Sequence, residues 1–149
     1  MQSKIRLGFT GFATSGDAYL MLGDLREDPE STHTADGRPA TKAAARDRLA
    51  RLICADRETF SADDARAAAL HVAHRQQELI AAGVEKVLGR FTEPPAAVIL
   101  SGHGEFLGRR VLESRSWSGR VVSLHQELGE KLSRCAPAHA LAILAREGK

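Results

Sequence analysis

Pro94 and Pro95 interrupt a long alanine-rich stretch of helical pattern, and the apolar run 97–100 behind them leads into the glycine turn Ser101-Gly102-His103-Gly104-Glu105. An apolar run between a proline pair and a Gly-x-Gly turn reads as a buried strand. Residues 105–113 return to a helical pattern, and residues 120–124 form a second short β-prone run. Strand, helix and strand at this spacing make a βαβ unit, with parallel strands and a right-handed crossover. Two strands do not satisfy a parallel sheet, which normally has neighbours on both sides and helices on both faces. A further strand is therefore expected, either from residues 5–16, which suit a short strand and a turn-rich segment, or from another chain. Two closing helices are expected over residues 126–134 and 138–147.

The first half reads as helical. A short helix is expected before Gly23, capped at Ser15 or Asp17 and stopped by the glycine. Residues 26–40 are polar, hold Pro29, Gly37 and Pro39, and show no hydrophobic period. A loop of this length is often functional or mobile. Thr41 is placed to cap a helix over residues 42–53, with Ala45, Leu49 and Leu52 on one face. Ser61 with Asp64 resembles a capping box opening a longer helix. Along it Ala65, Ala69, Val72, Leu79, Val84, Val87 and Phe91 keep a period near that of a helix, with Gly83 a place to bend or split. The fold class is thus α/β and helix-rich: a helical segment over 1–93, then a βαβ-α segment over 94–149, in one domain of ordinary size.

Composition narrows the function classes. With 43% hydrophobic and 27% charged residues the chain has the balance of a soluble globular protein. Its formal charge of +2 is spread among interleaved acids and bases, so no stripe for nucleic acid is present. No run approaches the ~20 apolar residues of a membrane span. Cys54 and Cys135 lie far apart and suit two reduced thiols in a cytoplasmic protein. No Ser-His-Asp order with an elbow motif supports hydrolase chemistry.

Ser101, Gly102, His103, Gly104 and Glu105 hold the most informative pattern. Glycines after a buried parallel strand let backbone approach a ligand closely and leave helix N–H groups to bind it, the geometry of a nucleotide or phosphate contact. The same glycines also serve a plain tight connection. In the loop, Asp36 and Arg38 flank Gly37, a combination able to hold a metal-phosphate group or an amine. A helix-entry turn explains them equally. Thr14 and Asp17 stand as cleft-lining candidates whose simpler role is capping. His71 and His74, three apart on a helix, lack a third ligand, so no metal site is assigned. Trp117 is expected at the core edge or in an interface.

The run AVILSGHGEFLGRRVLE resembles the adenosine-contacting strand and turn in the last subdomain of actin-like ATPases. More specifically, FATSGDAYLMLGDLREDPESTHTADGRPATKAAARDRLARLICADRE and RCAPAHALAILARE are similar to the closing portion of the tetrahydromethanopterin-linked one-carbon transfer pathway proteins, distant relatives of the hydantoinase and oxoprolinase ATPase domains. The resemblance covers nearly the whole chain, from Phe12 to Glu147, with TADGRPAT and SGHGEF its more specific runs. It implies a longer full-length protein with an actin-like fold, using ATP and Mg, that acts in methanofuran biosynthesis as a condensing transferase joining an aminomethylfuran phosphate to glutamyl-tyramine. Family members carry DxGG and DxGSTT phosphate loops, which this sequence lacks. The expectation is therefore a truncated relative that keeps the adenosine-side turn, binds no cofactor tightly alone, and works with a missing N-terminal half or as a homo-oligomer. The alternative is a non-catalytic helical dimerisation module.

Overall fold

A computed structural model of the protein describes residues 13–148. They form a helix-rich α/β structure of two compact units, one up to Gln76 and one from Gln77 onward. Of the strand and turn-rich segment expected over residues 5–16, residues 5–12 lie outside the described residues, and Ser15 and Gly16 already belong to the first helix.

The first unit holds α1 (Ser15–Leu22), α2 (Lys42–Leu52) and the first turns of α3 (Ala62–Leu88). The cap of α1 is Thr14, one residue before the expected position, because Asp17 sits at the third helical position and accepts from the Thr14 backbone N–H at 2.8 Å. Gly23 ends the helix in the left-handed region, at φ 83°. Thr41 caps α2 by accepting from the Ala44 N–H. Ser61 and Asp64 close the capping box of α3, the Asp64 carboxylate accepting from the Ser61 N–H at 2.9 Å. Leu49, Ala50, Phe60 and Ala65 make the core cluster, and Ala18, Ala45 and Ala69 are fully buried. So many alanines let helices approach closely.

Two apolar patterns resolve differently from expectation. On α2 Leu52 is 47% exposed, whereas Arg48 is fully buried. In the last turn of α2 the core cluster takes Leu49 and Ala50, and Leu52 is not part of it. Along α3, which runs through Gly83 as one helix, Ala65, Ala69, Ala73 and Ala81 are the buried positions, while Leu79, Val87 and the following Phe91 are exposed.

The second unit starts with the end of α3 and holds β1 (Ala97–Leu100), α4 (Glu105–Ser114), β2 (Arg120–Ser123), α5 (Leu124–Leu128), α6 (Glu130–Arg134) and α7 (Ala136–Glu147). β1 and β2 pair in parallel, Ala97 opposite Arg120 and Leu100 opposite Ser123. The helix expected over residues 126–134 is two helices, because Gly129 at φ 80°, ψ 167° takes a conformation outside the helical range. Leu107, Val111 and Leu112 of α4 are buried. Ile99, on the other face of β1 from Val98 and Leu100, is 66% exposed, and no residue of α7 is buried. Among the described residues the sheet of the second unit is thus two-stranded, and β1, which the sequence pattern marks as a buried strand, has no buried residue, because nothing described covers the face that carries Ile99.

Candidate functional site

In the first unit the loop and both helices meet on Arg48. This guanidinium sits on the inner face of α2 beside Ala45 and Leu49, a position that sequence pattern assigns to an apolar side chain. Its Nε and Nη2 donate to Asp17 Oδ1 at 2.8 and 2.6 Å, and its Nη1 donates to Asp36 Oδ1 at 2.9 Å. Arg51 also pairs with Asp36. Burial by itself would raise the Asp36 carboxyl, but the Arg38 N–H and the Arg48 and Arg51 guanidinium groups together hold it below the ordinary carboxylate value. The two carboxylates hold Arg48 above its ordinary value against the opposing effect of burial.

Of the four candidates in this unit, Asp17 and Asp36 are brought together through Arg48, and Thr14 joins them through its N–H and hydroxyl on Asp17. Arg38 turns its side chain to Asp47, at 2.9 Å. The loop over 26–40 is closed at its base, where the Asp28 N–H donates to the Ala40 carbonyl at 2.9 Å and the Ala40 N–H to the Ser31 carbonyl at 3.0 Å. Thr34 Oγ1 donates to the Arg38 carbonyl at 2.6 Å, closing the turn around Gly37. Sequence reasoning missed Arg48 and Arg51; the available signal was that Arg48 lies three residues after Ala45, on the face of the helix that carries Ala45 and Leu49.

In the second unit the glycine turn is held from below. The Ser133 hydroxyl accepts from the Gly102 N–H at 2.9 Å and donates to Glu105 Oε1 at 2.7 Å. Ser123 also donates to the Glu105 carboxylate, as does the His125 N–H at 2.8 Å. Burial would raise this carboxyl, yet the two hydroxyls and the His125 N–H hold it below its ordinary range. Ser123 and Ser133 are both buried. Gly102 and Glu105 therefore fasten the turn, leaving Ser101, His103 and Gly104 exposed along its outer edge. A Cβ added at Gly102 or Gly104 would meet nothing within 4 Å, so the space over both glycines is open. Ser133 had no local signal, because it reaches the turn from 31 residues away.

The second unit also holds an apolar cavity of about 100 Å³, which none of Ser101 to Glu105 lines. Val84 and Leu88 of α3, Val98 and Leu100 of β1, Val111 of α4 and Trp117 contribute to its walls. Trp117 Nε1 is buried without a hydrogen-bond partner among the described residues. Its ring lies over Gly119, where a Cβ would come within 2.7 Å of the indole. His71 and His74 are exposed, and among the described residues no three His, Cys, Asp or Glu side chains are grouped to hold a metal ion. No described helix is long and apolar enough to cross a membrane.

No family profile matches the chain. Over 137 residues, 91% of the chain, it is 27% identical to the (4-{4-[2-(gamma-L-glutamylamino)ethyl]phenoxymethyl}furan-2-yl)methanamine synthase of Methanococcus vannielii, covering 61% of that protein. Over 136 residues it is 26% identical to the synthase of the same name from Methanocaldococcus jannaschii, covering 39% of it. The chain thus spans 61% and 39% of the lengths of these two curated relatives.

Proposed function

We propose that this chain is part of a synthase of the furan-2-ylmethanamine type, acting in the making of a methanofuran-type cofactor of tetrahydromethanopterin-linked one-carbon transfer. Its fold on this reading is the last subdomain of an actin-like ATPase fold, related to the hydantoinase and oxoprolinase domains. The observation that carries the reading is similarity over 91% of the chain to two synthases named for one product. In the reaction the phenol oxygen of glutamyl-tyramine forms a bond to the methylene of an aminomethylfuran phosphate. The methylene-to-phosphate bond breaks, phosphate leaves with its electron pair, and the phenol proton passes to a base. No residue of this chain is assigned as that base.

The open edge of Ser101, His103 and Gly104 fits the side of an adenosine, with Gly102 and Glu105 holding the turn in shape. ATP and Mg belong to the longer relatives on this reading; this sequence offers no DxGG or DxGSTT loop to cradle the phosphates. Such loops come from further protein that covers the open face of β1 and α7, where Ile99, Leu141 and Leu144 are exposed. Sedimentation velocity of this chain with the portion of the Methanocaldococcus jannaschii relative that it does not match tests the arrangement. Association supports it, and two species sedimenting independently count against it. The same exposed apolar faces favour a second reading, in which two copies of the chain pair. That reading expects a stable homodimer without nucleotide affinity.

A further inference from the structure

The last three helices carry almost no buried apolar surface, although burial is what usually fixes a helix to its neighbours. Among the described residues after Ser123, Ser133 alone is buried. Leu124, Ala136, His139 and Ile143 are half-buried, and Leu141 and Leu144 of α7 are exposed. What fastens this segment is the Glu105 carboxylate. It accepts from the Ser123 hydroxyl where β2 ends, from the His125 N–H in α5 and from the Ser133 hydroxyl on α6. Ser123 in turn accepts from the Gln126 N–H at 3.2 Å and so caps α5, while Ser133 accepts from the Gly102 N–H. One carboxylate therefore joins the end of β2, α5, α6 and, one bond further, the glycine turn. Bonds to an ionised acceptor are the stronger kind, and in a chain each supports the next. α6 runs into α7 through the single residue Cys135, so α7 follows where α6 goes. α5 and α6 have five residues each and α7 has twelve. Isolated helices shorter than ~12–15 residues are marginal in water, so release of this segment is also its melting. α4 is held differently, by burial of Leu107, Val111 and Leu112.

We propose that α5, α6 and α7 form a strap that opens as one unit, latched on Glu105, and that the glycine turn is fixed at Gly102 only while the strap is docked. A ligand that needs the fixed turn then favours the docked strap, and anything that holds the strap down favours the fixed turn by the same factor. The turn is the one used in the synthase reading, but opening of the strap is measured with no ligand and no turnover, so the two ideas fail separately.

Amide hydrogen exchange of the full chain, followed residue by residue by NMR in low urea, tests the strap. The expected result is one shared opening for the amides of α5, α6 and α7 and for the Gly102 N–H, at least about tenfold more frequent than the opening that exposes Val111 and Leu112 of α4. Glu105→Gln keeps the size of the side chain and removes its charge. It should speed exchange at Leu141 and Leu144, which have no bond to Glu105, by about tenfold or more, and at Gly102 alike. Should that variant fail to fold, Ser133→Ala carries the test at Leu141 and Leu144, and the wild-type chain carries it at Gly102. The proposal is overturned if α7 exchanges as slowly as Val111 and Leu112, or if α6 and α7 open separately. It is equally overturned if the variants leave α7 unmoved, or if the Gly102 N–H follows α4 in place of the strap.

Discussion

Replacing Arg48 by methionine removes the hub of the first unit while keeping a side chain of similar reach. The Arg48 side chain is fully buried and that of Asp17 is 3% exposed. The substitution thus strands a buried carboxylate that, among the described residues, keeps only its bonds to Thr14. Asp36 loses less, since Arg51 and the Arg38 N–H remain. Breaking a buried pair by removing one partner costs about 3–5 kcal/mol, most of it the uncompensated charge left behind. With a urea m-value of about 1–3 kcal/mol/M, the unfolding midpoint should fall by roughly 2 M. Tyr19, the only tyrosine, is buried in this unit and donates to Gln76 Oε1 at 3.0 Å, so its near-UV circular dichroism reports the right region. The double variant Arg48→Met with Asp17→Asn should recover much of the loss, because no charge is then stranded. A midpoint for Arg48→Met within 0.5 M (about 1 kcal/mol) of wild type, or no recovery in the double variant, would refute the argument.

Gly129→Ala should destabilise the second unit by about 1–3 kcal/mol, since φ 80° with ψ 167° is a glycine region; Trp117 fluorescence in urea measures it. Gly83→Ala, mid-helix with nothing within 4 Å of the added Cβ, should instead stabilise by about 0.5–1 kcal/mol in the same titration. Glu105 is lower in pKa folded than unfolded, so its stabilising effect is complete above the unfolded value near 4.5 and is lost as pH falls through the folded value. Glu105→Gln should therefore cost about 1–2 kcal/mol at pH 7 and flatten the decline in the urea midpoint between pH 5 and 3.

Local chemistry was legible where one segment determines its own shape. Thr41 before an alanine-rich run, Ser61 with Asp64, and the proline pair before an apolar strand each lead to the observed element. So does the parallel pairing of β1 and β2, which follows from the helix between them. What was not legible depends on contacts distant in sequence. Leu79 fits the helical period yet is 68% exposed, because periodicity marks a face without saying what covers it. Arg48 looks like a surface arginine until Asp17 and Asp36 arrive from 31 and 12 residues away. In the glycine turn the spacing gave the backbone shape, whereas the division between fastening residues and open ones depends on Ser133, which no local pattern connects to it.

Product formation tests the central claim most directly. Aminomethylfuran phosphate and glutamyl-tyramine are incubated with this chain and the portion of the Methanocaldococcus jannaschii relative that it does not match, and the ether product is followed by mass spectrometry. The account predicts product only when both are present, and a loss of at least about tenfold with Gly102→Val, which strains the φ 83° turn. No ether product with the combined proteins, or full activity from that portion of the relative without this chain, would contradict it.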